Sequence, residues 1–290
     1  MSIHYRPYNS LEDLDLQTKI WLQATKELPW AWKPNKSQNW YVEQVKFDPR
    51  SKMYAFEDEN PIGYMSCIDR ETFIPLGFPW IVDKKFQGDI QHHLFDNIYN
   101  FCLANFRSKS FLQRFRKEWT YQINFFEDKG FKLDWFNPIY VLESVQNSNF
   151  DTPEKYEIKC SKSIPEEAFF EIINKDTNYT DQNKVEILSY LLNDIHVDWT
   201  LELSLNSKSL GMCMTTIRQD TGYAELVLFI TDSDYSKNEE LLLESVISQL
   251  KQDKVRFVSM TTKEDSSKIP FLESYNFKQK SESVFYSKKL

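Results

Sequence analysis

Hydrophobic positions recur along the chain at two spacings, and the switches between them mark out the elements. The alternation in IHYRPY (3–8) predicts a short strand. SLEDLDLQTKIWLQATKEL (10–28) then carries an apolar stripe through Leu14, Ile20 and Leu22 behind Ser10, the pattern of a helix capped by a serine. SQNWYVEQVKF (37–47) predicts a second helix, and KMYAFED and IGYMSCI, joined by the turn ENP, predict a hairpin. FIPLGFPWIVD (73–83) reads as a strand broken at Pro75 and Pro79. Each proline removes a ladder donor, so this strand is expected to bulge or splay. QGDIQHHLFDNIYNFCLANF (87–106) places Ile90, Leu94, Ile98, Phe101 and Cys102 on one face of a long helix. FLQRFR is a strand, WTYQINFFEDKG a helix ended by Gly130, and FKLDWF and PIYVLES two closing strands.

After a polar, proline-bearing linker, VQNSNFDTPEK (145–155), the same order begins again. KYEIKCS is a strand, PEEAFFEIINKD and QNKVEILSYLLND are helices, and DWTLELSLNSKSLGMCMTTI is a hairpin. YAELVLFIT (strand), NEELLLESVISQLKQ (helix), VRFVSMTT (strand), DSSKIPFLESYN (helix) and FKQKSESVFYSKK (hairpin) complete the series. Landmarks recur in register: PIGYMSC at Gly63 answers SLGMCMT at Gly211, and FFEDKGF answers FLESYNF. Gly63 and Phe131 are 68 residues apart (131 − 63), Gly211 and Phe277 are 66 apart (277 − 211). Phe86 and Tyr235, each ahead of a long helix, follow the two glycines by 23 and 24 residues (86 − 63, 235 − 211). The chain is therefore expected to be α+β and duplicated, with domains at 1–146 and 147–290.

Composition adds bounds. With 41% hydrophobic residues, 27% charged, only 6 Gly and 11 Pro, the chain has material for real cores, which 22 Phe, 15 Tyr and 8 Trp help to fill. A net charge of −8 argues against a DNA-binding or general nucleic-acid role and mildly favours cationic ligands. The charged N-terminus and the lack of any run of ~18 apolar residues point away from signal peptide and membrane span. Cys67, Cys102, Cys160 and Cys213 have no CxxC spacing, so free and mostly buried thiols in a reducing cytoplasm are expected, with no zinc site. His92 and His93 are adjacent on a helix and point about 100° apart, a solvated face rather than a metal pair.

The repeated order of strand, two helices, hairpin, long strand, long helix, strand, helix and closing strands resembles the GCN5-related N-acetyltransferase (GNAT) superfamily across nearly the whole chain, as a tandem member. The resemblance implies, in each domain, a mixed, mostly antiparallel twisted sheet flanked by helices. It also implies that the fourth strand parts from the fifth to admit the pantetheine arm of acetyl-CoA or a related acyl-CoA. The pyrophosphate would sit on the N-terminus of the next long helix, an anion site by free N–H groups and dipole. Carried onto this sequence, the cofactor-binding candidates are Ile81, Val82, Gln87, Gly88, Asp89, Ile90, Gln91, His92 and Phe126. Phe126 stands where the family has a tyrosine that protonates the departing thiolate, and Leu272 and Asn276 replace the family's Tyr and Gly in the second copy.

That second copy also begins its long helix with Glu239 and Glu240, so it is expected to be degenerate and non-catalytic, despite Glu225 on its fourth strand. The nearest carboxylates to the first copy's fourth strand are Asp69 and Glu71, the candidates for general base. Trp30, Trp32 and Trp40, between the first two helices, are candidates for the acceptor wall. The implied function is transfer of an acyl group to the amine of a small molecule or peptide, by a monomer with a pseudo-twofold domain pair or by a homodimer. The alternatives are a GNAT-fold binding or regulatory protein without chemistry, and an aminoacyl-tRNA-dependent transferase.

Overall fold

The structure is a computed structural model and describes residues 2–36, 41–70, 72–106, 110–144, 155–175, 180–232 and 237–289. It divides into two compact units that are not contiguous in sequence. Unit 1 comprises Met1–Pro34, Gln38–Asn137 and Ser281–Leu290, and unit 2 comprises Asn35–Ser37 and Pro138–Lys280.

Unit 1 begins with β1 (Ile3–Pro7) and α1 (Glu12–Ala24), then β2 (Lys52–Glu57) and β3 (Asn60–Ser66). The expected serine cap is not formed. The helix starts at Leu11 without a side-chain cap, and the Asp13 carboxylate instead accepts the N–H groups of Asn9 and Ser10 while pairing with Arg6 at 2.7 Å. A carboxylate that gathers two backbone donors and a guanidinium outcompetes a lone hydroxyl. Of the expected second helix, 37–40 lie outside the described residues; Tyr41 and Val42 are helical, and turns follow to Lys46.

The fourth strand breaks where its prolines predicted. β4 (Ile74–Pro75) pairs in parallel with β6 (Ser110–Arg116), whereas β5 (Trp80–Ile81) pairs only with β3, so one strand is divided between two sheets. A one-turn 3-10 helix at Lys84–Phe86 leads into α2 (Asp89–Asn105), and α3 (Thr120–Asp128) follows β6. The apolar stripe of α2, Ile90, Leu94, Ile98, Phe101 and Cys102, is buried as expected, in a core with Phe111, Phe115, Trp119 and Phe126.

Each expected pair of closing strands is instead one long strand: β7 (Lys132–Leu142) and β13 (Lys278–Lys289). β7 runs through Asn137–Pro138 without turning. Its first part belongs to unit 1 and its last residues pair with β12 of unit 2, Val141 opposite Ser259. Proline sits at this change of partners, where a missing ladder donor costs least. Conversely, Ser283–Lys289 of β13 pair antiparallel with β6 in unit 1. A boundary between 146 and 147 follows chain order, whereas the compact units follow strand pairing. A duplicated sequence offers each unit two equivalent closing strands, and local pattern does not say which is used.

Unit 2 holds β8 (Tyr156–Ser161), α4 (Glu166–Ile173), α5 (Asp181–Asn193), β9 (Trp199–Leu205), β10 (Lys208–Arg218), β11 (Tyr223–Thr231), α6 (Lys237–Gln252), β12 (Phe257–Thr261) and α7 (Ile269–Ser274). Its strand order is β7-β12-β11-β10-β9-β8. The β9–β10 turn places Asn206 and Ser207 at φ 50° and 62°, the mirror-turn geometry that suits strand twist.

The duplication is visible bond by bond. Phe131 N–H reaches Phe126 C=O at 3.0 Å and Phe277 N–H reaches Leu272 C=O at 3.1 Å. Gly130 takes the left-handed turn at φ 83°, and Asn276, the commonest stand-in for glycine there, takes it at 62°. Gly63 faces Ile81 and Leu94, and Gly211 faces Thr231 and Leu242. The long helices begin 26 residues after each glycine (89 − 63, 237 − 211). All four cysteines are free, and Cys67, Cys102 and Cys213 are buried. Among the described residues no helix is long and apolar enough to cross a membrane.

Candidate functional site

In unit 1 the site begins where β4 and β5 part. Val82 N–H donates to Ile62 C=O at 3.0 Å, and the register sets Ile81 opposite Gly63 and Trp80 opposite Tyr64. In an antiparallel ladder alternate residues face their partner, so Val82 is committed to β3 while the N–H and C=O of Ile81 point to the other side. That side would belong to β6, but β6 is engaged only as far as Leu76, whose N–H donates to Leu112 C=O at 3.0 Å. The carbonyl of Pro79 is taken by Gln91 Nε2 at 3.0 Å, and Gln91 Oε1 accepts from the Tyr121 hydroxyl. Gln91, buried and bonded at both ends, therefore fastens α2 to β5. Tyr121 completes this chain and was not singled out from sequence, where no spacing marks it.

The start of α2 is opened by a glycine. Gly88 sits at φ 87°, ψ −109°, a conformation natural only to glycine, with nothing within 4 Å of where a Cβ would be. Its carbonyl accepts the first helical bond, from His92 N–H at 2.9 Å, so the amides of Asp89, Ile90 and Gln91 precede the helical ladder. Gln87 N–H is spent on Lys84 C=O at 3.1 Å. Lys84 and Lys85 lie exposed on the preceding turn, Lys85 over the Phe86 ring at 4.3 Å and 3.8 Å from Glu57. Asp89 is exposed at the first helical position, Ile90 packs inward, and His92 leans on Phe125 with centroids 5.3 Å apart.

Phe126 corrects an expectation. It is completely enclosed, with Phe131 at 4.7 Å, Phe115 at 5.2 Å and Phe95 at 5.9 Å between ring centroids, so it packs the core rather than a ligand. Asp69 lies on the turn between β3 and β4, beyond the Cys67–Leu76 bridge, with Tyr41 beside it. Glu71 and Trp40 lie outside the described residues. Trp32 is buried and stacked on Trp119 at 4.9 Å, with the guanidinium groups of Arg114 and Arg116 over its ring at 4.1 and 4.8 Å. Trp30, at φ 55°, gives its carbonyl to Arg116 Nε at 3.0 Å. The tryptophans thus anchor their loop to β6, and its cations already occupy the ring of Trp32.

Unit 2 carries the corresponding parting. β11 pairs with β12 only from Tyr223 to Glu225, then diverges, with a register shift between Met214 and Thr215 that leaves Val227 as an extra residue. At this vertex Tyr223 Oη lies 2.7 Å from Ser259 Oγ and donates to Glu225 at 3.4 Å. The start of α6 presents Glu239 and Glu240, which suits the helix dipole and opposes an anionic ligand. Asn238, in the place Ile90 holds in unit 1, is fully buried with neither amide atom hydrogen-bonded among the described residues. No group of three or more His, Cys, Asp or Glu among the described residues is placed to hold a metal ion.

No family model matches the chain, and no curated protein matches it. Solved structures do. A tandem GNAT protein from the clavulanic acid biosynthesis pathway superposes with a TM-score of 0.68 at 12% identity, covering 99% of this chain and 98% of its own. A GCN5-related N-acetyltransferase from Sphaerobacter thermophilus gives 0.54 at 14%, covering 99% and 95%. A Saccharomyces cerevisiae N-myristoyltransferase with bound myristoyl-CoA gives 0.57 at 10%, covering 99% and 78%. The chain therefore has the tandem GNAT fold.

Proposed function

We propose that the protein is a cytoplasmic N-acyltransferase that moves an acyl group from an acyl-CoA to the amine of a small molecule or peptide, and that unit 1 holds the donor. One observation carries this reading: the outward-facing N–H and C=O of Ile81, unpaired among the described residues, lead along β5 to the glycine-opened start of α2. An amide-bearing arm can add to the one, and its phosphates can meet the free amides of the other. The lysines of the preceding turn supply positive charge beside them. The donor, when bound, supplies an activated thioester. The chain's part is to hold it in line, keep the Gln91–Tyr121 brace behind β5, and take up the ammonium proton of the acceptor. Asp69, through water, is the described carboxylate proposed for that proton. With Phe126 enclosed, no side chain is assigned to protonate the leaving sulfur. A thiol with pKa of about 8.5 leaves tolerably as thiolate near neutral pH.

Thiol release from acetyl-CoA and myristoyl-CoA across a panel of amines and peptides tests this reading. Amine-dependent release that falls at least tenfold in Asp69→Asn supports it, and no release with any pair refutes it. The second reading, a binding protein without chemistry, is favoured by the loss of the tyrosine at position 126 and predicts tight donor binding with no turnover.

A further inference from the structure

Arg6, Arg50, Arg116, Arg218 and Arg256 each bring their guanidinium to a carboxylate or a carbonyl oxygen. Arg114, on β6, does not. It is half-buried, lies over the Trp32 ring at 4.1 Å, and makes no side-chain hydrogen bond or ion pair with any described residue. The Arg116 guanidinium meets the same ring at 4.8 Å, but it is fully buried and donates to Trp30 C=O and Ser283 Oγ. Two cations thus converge on one tryptophan of a chain whose net charge is −8, and among the described residues no carboxylate answers Arg114. Desolvating a guanidinium without an anion is costly, and the ring offsets only part of that cost.

The surface beside Arg114 is apolar and open. In the β6–β13 ladder Arg114 stands directly opposite Phe285, so both project from one face of the sheet. Phe285 stacks on Trp135 of β7, with centroids 4.5 Å apart and planes 12° from parallel. Trp135 is 41% exposed, and Leu133, two residues along the same face, 52%. A row of Trp32, Arg114, Phe285 and Trp135 therefore crosses β6, β13 and β7 within unit 1. Leu112, two residues before Arg114, takes the last bond from the β4 side, that of Leu76 N–H. Arg114 thus stands on the strand that bounds the far side of the parting proposed above for the donor.

We propose that Arg114 binds a carboxylate of the acceptor, so that the acceptor is a small amine that also carries a carboxylate and an apolar body. The inference rests on the acyltransferase reading only for what then happens to the amine. Charge selects an anion at Arg114. With the Arg116 guanidinium committed to Trp30 and Ser283, one cation is offered rather than two, which suits a monoanion better than a phosphate dianion. A guanidinium set against a ring keeps its N–H edge available, and that edge matches the two oxygens of a planar carboxylate. Trp135, Phe285 and Leu133 supply open apolar surface for the rest of the molecule.

The test is calorimetric titration of the full-length protein, without acyl-CoA, with two carboxylate–carboxamide pairs: L-phenylalanine and its amide, and ε-aminocaproate and its amide. At least one carboxylate is expected to bind about tenfold or more tightly than its amide. Arg114→Gln is expected to erase that preference, Arg114→Lys to keep part of it, and Trp135→Ala to weaken both members of the pair alike. Equal affinity within both pairs, or no binding by any of the four, overturns the proposal. So does a preference that survives Arg114→Gln. The wild-type comparison needs no variant, and an unchanged Tm establishes that Arg114→Gln folds. The two readings fail separately. Carboxylate-selective binding with no acyl transfer to any amine refutes only the transferase, whereas transfer that runs equally on acid and amide refutes only the role of Arg114.

Discussion

Gly63→Ala and Gly211→Ala make the same chemical change at equivalent positions, and the structure predicts different results. A Cβ on Gly63 would lie 2.5 Å from Ile81 Cδ1 and 2.8 Å from the carbonyl oxygen of Trp80. The Ile81 methyl can swing away, but the oxygen is backbone and lies some 0.6 Å inside ordinary contact (3.4 − 2.8). β5 must move, and overpacking of this kind costs about 1–3 kcal/mol. A Cβ on Gly211 meets only side-chain tips, Leu242 Cδ2 and Thr231 Cγ2 at 3.2 Å, with the nearest backbone oxygen at 3.5 Å. There the loss of unfolded-chain entropy that favours Ala, ~0.4–1 kcal/mol, offsets most of the crowding.

The expected outcome is a fall in Tm of about 5–10 °C for Gly63→Ala and a change within about 2 °C for Gly211→Ala. Calorimetry, which follows both units, suits the measurement better than tryptophan fluorescence, since seven of the eight tryptophans precede residue 138 and would report unit 1. Gly63→Ala should also weaken donor binding, because the strand it displaces carries Ile81. Equal shifts from the two substitutions would refute the reasoning.

Three further expectations are independent of that one. Burial pushes the Lys52 ammonium down to about 7. Its unfolded value is near 10.4, so between the two the unfolded chain binds more protons and stability must rise with pH. Cys67, Cys160 and Cys213, each raised by burial, oppose this increasingly as pH nears ~8.5, so the window that Lys52 dominates is about pH 7–8. Urea denaturation should show a gain there of about 0.5–1 kcal/mol, which Lys52→Met abolishes. Asn238→Leu removes two buried amide atoms that have no partner among the described residues and should stabilise the protein by about 1 kcal/mol in the same assay, whereas a loss would mean that the amide has a partner. Gly88→Ala meets no steric obstacle but must hold φ 87°, so it should cost about 1–3 kcal/mol of stability and loosen donor binding as well.

The duplication was legible because it rests on local chemistry repeated in register. Gly130 and Asn276 differ as residues yet both permit a left-handed turn, and the flanking apolar positions agree. The broken fourth strand was legible from Pro75 and Pro79. The exchange of closing strands was not, because FKLDWFNPIYVL has the same alternation whichever strand it pairs with. Nor was the Gln91–Tyr121 brace, since it depends on contacts between elements far apart in sequence. Ser10 had the signature of a cap and lost the position to Asp13, whose charge attracts both donors and Arg6. The enclosure of Phe126 likewise depends on rings from α2, β6 and the turn after α3.

The central claim is that unit 1 binds an acyl-CoA between β5 and the start of α2. Calorimetric titration of the full-length protein with acetyl-CoA tests it most directly, with Gly88→Glu placing a bulky carboxylate at the proposed phosphate site. One equivalent bound at micromolar affinity and weakened at least a hundredfold by Gly88→Glu is the predicted result. Binding no tighter than millimolar in the wild type, or tight binding indifferent to Gly88→Glu, would contradict it.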